Sequence, residues 1–280
     1  MRSSTTPEPH ASEEPPPLLE LSALTKRFAD PKRGERTVVQ NLDLTVRPGE
    51  FCALIGPTGC GKSTVLSMVA GLERPSSGSV RADGVPLPDT DPRTGFVFQS
   101  DAVFPWKTVQ ANIAAGPRFR GADRRRATEL ARDWVRRVGL AGFEQHFPHQ
   151  LSGGMRKRVA LAQTFVNRPS ILLMDEPFAG LDAQTRQIMA DELLGLWESL
   201  GASVLFVTHD LEEAITLADR VVVLTARPAT VKEEFIVDLP RPRAARDIRF
   251  LPRFVELQEK IWSSLSGEVQ IAYARATAAG

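Results

Sequence analysis

Leu19 and Leu21 alternate with Glu20 and Ser22, and the same beat returns at Leu42, Leu44 and Val46. Successive side chains leave a strand on opposite faces, so this alternation predicts two strands buried on one side. A second class of segment is apolar throughout: Phe51-Cys52-Ala53-Leu54-Ile55, Ile171-Leu172-Leu173-Met174, Val204-Leu205-Phe206-Val207 and Val221-Val222-Val223-Leu224. Short unbroken runs of this kind predict fully buried strands. Phe96-Val97-Phe98 is a further strand candidate, and Asp30-Pro31-Lys32-Arg33-Gly34 reads as a loop.

Helical spacing fills the intervals. Val65-Leu66-Ser67-Met68-Val69-Ala70 reads as a buried helix closed by Gly71. Ala127, Leu130, Ala131, Trp134, Val135 and Val138 recur at helical spacing, and Ile188, Met189, Leu193, Leu196, Trp197 and Leu200 mark one face of another helix. Strands alternating with helices imply an α/β domain with a mostly parallel sheet. A more polar helical stretch at about 101–150 interrupts it as a subdomain. No internal repeat is visible. Arg124-Arg125-Arg126 reads as a solvated helix face.

Residues 1–17 are polar and proline-rich, which predicts disorder, with order beginning near Leu18. The 280 residues suffice for a sizeable core. With 35 basic and 34 acidic residues the net charge is +1, so no general field for nucleic acid or anionic lipid exists. Cys52 and Cys60 give no disulfide framework and fit a cytosolic setting. No apolar run approaches the roughly 18–20 residues that span a bilayer. The N-terminal stretch lacks the apolar core of a signal peptide. If the protein acts at a membrane, another chain must span it.

Gly56-Pro57-Thr58-Gly59-Cys60-Gly61-Lys62-Ser63 matches the phosphate-loop pattern without mismatch, between an apolar strand and an apolar helix. Glycines let backbone N–H groups curl toward phosphate oxygens, and the following helix adds its positive end. Lys62 is expected on the β- and γ-phosphates and Ser63 on Mg²⁺. Asp175 and Glu176 end the run at 171–174. There Asp175 would hold the metal and Glu176 would polarise the attacking water. Gln99 suits a sensor touching Mg²⁺ or that water, and His209 a donor to the γ-phosphate. Ser152-Gly153-Gly154 opens a helix and offers another phosphate seat. Alone, Gln99, His209 and this turn also read as a loop glutamine, a structural histidine and an ordinary helix cap. One nucleotide does not need both phosphate seats from one chain. The economical reading is two facing copies, each ATP held by the loop of one and the Ser-Gly-Gly turn of the other. Cys60, near a helix N-terminus and Lys62, reads either as a favoured thiolate or as an inert filler.

All five elements in this order resemble the ATP-binding subunit of an ABC transporter. The matching parts are 56–64 including Thr64 (Walker A), Gln99 (Q-loop), 151–155 (signature), 171–176 (Walker B with the catalytic glutamate) and His209 (switch histidine). Ala179-Gly180-Leu181-Asp182 looks like the D-loop that crosses between subunits. Phe28 falls where an aromatic stacks on adenine. The resemblance runs from about 18 to 227. It implies a P-loop NTPase of ABC type with a mostly parallel core sheet, an antiparallel β subdomain and an α-helical subdomain. The domain would span 18–240, with a helical tail at 241–280. It also implies ATP and Mg²⁺ as cofactors, with Ser63, Gln99 and Asp175 as metal contacts. Two ATP molecules would lie in a head-to-tail dimer. Each site would take Lys62, Ser63, Gln99, Asp175, Glu176 and His209 from one copy, and Ser152 with Gly154 from the other. Gly153 and Asp182 count among the nucleotide contacts.

Phe28 replaces a commoner tyrosine, Met155 and Lys157 stand where many members have glutamine, and Gly180 loosens the D-loop. None removes a catalytic group. Phe98-Gln99-Ser100-Asp101-Ala102-Val103-Phe104-Pro105-Trp106 and Asp238-Leu239-Pro240-Arg241-Pro242-Arg243 are similar to importer subunits for nitrate, sulfonate and taurine. The implied partners are a second ATP-binding subunit, transmembrane permeases and, indirectly, a solute-binding protein, with no nucleic acid. The implied place is the cytoplasmic face of the inner membrane. The alternative is a soluble ABC ATPase acting on nucleic acid, ribosomes or metal clusters. The near-zero charge and single cassette speak against it, and the apolar Val103-Phe104-Pro105-Trp106 speaks for transport. A nucleotide kinase or switch GTPase would use Lys62 but leave residues 152–154 and His209 idle.

Overall fold

The computed structural model describes residues 16–30 and 34–278. The disorder expected for 1–17 therefore falls almost wholly outside the described residues. The two alternating segments become β1 (Leu19–Asp30) and β2 (Gly34–Val46), paired antiparallel with Leu19 opposite Val46. With β4 (Ser77–Ala82) and β5 (Val85–Pro86) they form an antiparallel sheet in the order β2-β1-β4-β5.

The second sheet has the order β10-β9-β3-β8-β7-β6. Its strands are β3 (Phe51–Ile55), β6 (Thr94–Val97), β7 (Ile171–Asp175), β8 (Ser203–Val207), β9 (Arg220–Leu224) and β10 (Val231–Ile236). All adjacent pairs are parallel except β10 with β9. The unbroken apolar runs now have a cause. Phe51, Ala53 and Ile55 of β3 enter one half of the core, and Cys52 and Leu54 enter the other. The strand alternates, but both of its faces are dry.

One half of the core lies under α1 (Lys62–Val69) and the antiparallel sheet, where Leu66, Val69, Leu42 and Leu44 pack. The other lies under α5 (Ala183–Leu200), α6 (Leu211–Leu217) and the C-terminal α8 (Pro252–Ala278). There Phe51 meets Trp197 edge-on at 5.3 Å. Phe254, Leu257 and Ile261 bring α8 into the same core, so the segment after 240 is packed against the sheet. The buried Arg243, ahead of the short α7 (Ala245–Ile248), donates to the carbonyls of Ala218 at 2.6 Å, Val237 at 3.0 Å and Leu239 at 3.1 Å.

Between β6 and β7 the chain forms α2 (Val109–Phe119), α3 (Arg124–Arg137) and α4 (Gly153–Phe165). Arg124, Arg125 and Arg126 are exposed, as the solvated reading expected. Asn112 of α2 is fully buried. Its side chain accepts from Phe104 N at 2.7 Å and donates to Phe104 O at 3.1 Å and Lys107 O at 2.9 Å, pinning the aromatic loop ahead of the helix.

Two expectations need correction. Phe98 lies beyond the end of β6 and is exposed, because the chain turns out of the sheet after Val97. Ile188 is exposed, off the expected buried face of α5. The i, i+4 row Met189, Leu193 and Trp197 sets the buried face, and Ile188 is displaced from it by about 100° of helix rotation.

Candidate functional site

The parallel strands end at one edge, and the segments beyond those ends carry the predicted chemistry. Gly56 follows β3, Gln99 lies two residues past β6, Glu176 follows β7 and His209 lies two past β8. In open α/β sheets this edge is where ligands sit. A cleft of about 460 Å³ opens there, lined by Thr58, Gly59, Gly61, Lys62, Ser63, Thr64, Gln99, Glu176, His209 and Arg227.

The loop shapes one wall. Gly61 takes φ +132°, and a Cβ there would lie 3.1 Å from both Val38 Cγ1 and Val38 O, so only glycine fits. No side chain caps α1, which leaves its first-turn N–H groups without intrahelical partners. The Lys62 ammonium, nearly buried, donates to Gly56 O at 2.7 Å and Pro57 O at 3.0 Å. Ser63 Oγ donates to Asp175 Oδ1 at 3.0 Å. Burial raises the Asp175 carboxyl above its ordinary range, with the Ser63 hydrogen bond opposing, the Glu176 charge adding and Lys62 opposing.

Glu176 stands at the centre. Its backbone adopts φ +42°, the left-handed region a glutamate rarely enters, and its N–H is tied to Val207 O at 2.9 Å. Gln99 Nε2 donates to Glu176 Oε2 at 3.3 Å, and His209 Nδ1 lies 3.0 Å from the same oxygen. One carboxylate thus joins the loops following three strands. Phosphate-facing N–H groups and an ammonium fit a polyphosphate. The Ser63 hydroxyl and the Asp175 carboxylate are hard oxygen ligands of the kind Mg²⁺ takes alongside water and phosphate.

Other expected residues lie elsewhere. Ser152 caps α4, accepting from Met155 N at 3.3 Å, and is exposed; it and the half-buried Gly153 and Gly154 lie outside the cleft of their own chain. Asp182 caps α5, accepting from Gln184 N at 3.1 Å and Thr185 N at 2.9 Å. The Thr185 hydroxyl, 2.7 Å away, and these backbone bonds hold its carboxyl low. A Cβ on Gly154 would meet Thr185 Cγ2 at 3.2 Å, so the Ser-Gly-Gly turn and the start of α5 are in close contact. Phe28 is half-exposed on β1, with Lys26 Nζ 4.8 Å above its ring, and does not line the cleft.

Of the two readings open for Cys60, its surroundings favour the inert filler. The thiol is buried, with Sγ 3.0 Å from where a Gly56 Cβ would be, and burial pushes its pKa up against the opposing pull of Lys62.

Long-range supports escaped the sequence reading. Lys157 of α4 donates to Gln99 O at 2.6 Å and pairs with Asp101 at 3.3 Å, while Arg156 Nε binds Asp101 at 2.9 Å. The helix opened by Ser152 is thereby fastened to the Gln99 loop. Under His209, Thr208 Oγ1 donates to the buried Glu213 at 2.6 Å and accepts from Asp210 N at 3.0 Å. Burial raises the Glu213 carboxyl to about 7, against the Thr208 hydrogen bond and Arg186. A raised carboxyl stabilises the fold below its unfolded value near 4.5 and loses that contribution as pH climbs to about 7. Glu213→Gln is expected to flatten this dependence, narrowing or reversing any deficit against wild type between pH 5 and 8 by up to about 3 kcal/mol. Urea unfolding at the two pH values measures it, and parallel profiles for the two proteins would refute it.

A family model described as ABC transporter matches residues 39–179. An uncharacterized ABC transporter ATP-binding protein of Methanocaldococcus jannaschii is 45% identical over 90% of this chain and 92% of its own length. A nitrate import ATP-binding protein of Synechocystis is 38% identical over 89% and 95%, and a taurine import ATP-binding protein of Burkholderia pseudomallei 42% identical over 85% and 94%. Among solved structures, a dimeric ATP-binding cassette in a post-hydrolysis state with ADP and Pi has a TM-score of 0.70 and 31% identity, covering 79% of this chain and all of that one. With the phosphate loop, the hard-oxygen pair and the centred carboxylate already in place, these likenesses say what the cleft is for: the chain belongs to the ABC transporter family, as an ATP-binding and ATP-hydrolysing subunit that uses Mg²⁺.

Proposed function

We propose that this chain is the energy-coupling subunit of an importer for a small solute of the nitrate, sulfonate or taurine kind, working as a head-to-tail dimer. One observation carries the dimer. The residues from Lys62 to His209 that handle phosphate share a cleft, whereas Ser152 is exposed outside it and free to face a second copy.

In this reading Lys62 turns its ammonium from the loop carbonyls to the β- and γ-phosphates. Ser63 and Asp175 hold the metal, with Gln99 beside it. Mg²⁺, when bound, neutralises charge on the phosphates. Glu176 orients the attacking water and takes up its proton, and His209 donates to the γ-phosphate. Ser152, Gly153 and Gly154 of the opposite copy close the site, with Asp182 near the crossing, and Phe28 offers its face to adenine.

Coupling to a permease is supported by the aromatic loop that Asn112 pins. Phe104 lies 5.7 Å from Trp106 and 6.5 Å from Phe119, and the latter two rings are exposed. Phe119 also lines a groove of about 220 Å³ between β6, α2 and α4. This surface suits a short cytoplasmic helix of a spanning subunit and would hold the chain at the inner face of the membrane, with the solute-binding protein met only through that subunit. Affinity capture from membranes of the native cell tests the reading. A multi-span permease is expected with wild type and is expected to be lost with the double substitution Trp106→Ala and Phe119→Ala, while ATP binding persists. Recovery of ribosomes or nucleic acid instead would favour a non-transport ATPase.

A further inference from the structure

Arg227 lies just beyond β9, and no sequence motif pointed to it. Its Nη2 donates to the carbonyl of Gly59 at 2.8 Å, and the side chain lines the nucleotide cleft with Lys62, Ser63 and Thr64. Among the described residues no carboxylate pairs with it, and its buried Nε has no partner at all. Burial works against its charged form, and the charge of Arg36 adds to that. A half-buried guanidinium with donors to spare and no carboxylate partner calls for an anion.

The turn that carries Arg227 is held from the far side. Glu268 of α8 accepts from Ala226 N at 2.8 Å and pairs with Lys232 at 2.9 Å. Arg275, two turns further along the same face of α8, donates to the carbonyl of Arg227 itself. Thr225 Oγ1 closes the turn on Pro228 O at 2.9 Å. The C-terminal helix therefore fixes the base from which the guanidinium reaches.

We propose that Arg227 is a further nucleotide-binding residue, donating to the polyphosphate of the bound nucleoside triphosphate from a turn that α8 holds in position through Glu268 and Arg275. The inference rests on the phosphate loop being the nucleotide site. The spare donors of Arg227 meet the phosphate chain while Nη2 braces the loop at Gly59.

The test is ATP and ADP binding by calorimetry in Arg227→Gln, Arg227→Lys and Glu268→Gln, with Lys62→Ala measured in parallel and thermal unfolding recorded for each. Arg227→Gln is expected to weaken ATP binding by roughly 10- to 100-fold, the range for losing a hydrogen bond to a charged group. Its loss is also expected to fall on KM more than on kcat, and to be smaller at high salt. Arg227→Lys should recover most of the affinity. Glu268→Gln should weaken binding by a smaller factor, and by no further factor when Arg227 is already glutamine. Unchanged affinity in Arg227→Gln with a lowered unfolding temperature would overturn the proposal and leave Arg227 as a brace for Gly59. If Lys62→Ala also bound ATP normally, the nucleotide site itself would be misplaced. Loss in Lys62→Ala without loss in Arg227→Gln refutes only the role of Arg227.

Discussion

Glu176→Gln is expected to stop steady-state ATP hydrolysis while leaving ATP bound, so that the protein elutes from a sizing column with MgATP as a dimer. Glutamine has the shape of glutamate, and its carbonyl oxygen can still accept from Gln99 and His209, which now lie 3.3 and 3.0 Å from Glu176 Oε2. The backbone is set independently, through the bond from its N–H to Val207 O at 2.9 Å, so the φ of +42° should survive the substitution. What disappears is the base. General-base contributions run to roughly 100- to 10,000-fold, and a loss in that range is expected. Hydrolysis within a few fold of wild type would remove Glu176 from the chemistry. A monomer persisting with MgATP at micromolar protein would count against the shared site.

Lys62→Ala is expected to lower ATP affinity by roughly 10- to 150-fold, the loss of a charge-assisted contact of 1.5–3 kcal/mol. The effect on the fold is expected to be much smaller. The ammonium satisfies Gly56 O and Pro57 O, and its removal uncovers two carbonyls but also relieves the burial of a charge. Calorimetry with ATP, set against the unfolding temperature of the same variant without nucleotide, separates the two. Equal affinity for ATP in wild type and variant would contradict the assignment, whatever happened to stability.

The architecture was legible where the chain repeats a local rule. Alternation at 19–22 and 42–46 gave two half-buried strands, whose antiparallel pairing only the family resemblance implied, and unbroken apolar runs gave the buried strands of the second sheet, because those strands are dry on both faces. The phosphate loop was legible for a related reason: its chemistry is built from neighbours in sequence, with glycines, lysine and serine in one turn. Glu176 and His209 could be placed because both follow an apolar run. Contacts closed by distant residues were not legible. Arg227 meets Gly59 across 168 positions, and Lys157 meets Gln99 across 58. Cys60 was left open for the same reason. Its neighbours in sequence suggest an ionised thiol, but the walls that desolvate it come from elsewhere. Ile188 and Phe98 show that an apolar residue at the edge of a periodic run needs the tertiary fold to decide its side.

Lys157 and Arg156 weld the first turn of α4 to the loop bearing Gln99, through the carbonyl of Gln99 and the carboxylate of Asp101. Under the proposed dimer, the turn that reaches across to a neighbour's nucleotide and the amide that inspects the chain's own nucleotide ride on a single lever. Tilting it for one ATP tilts it for the other, so the two pockets would report to each other without any dedicated relay between them.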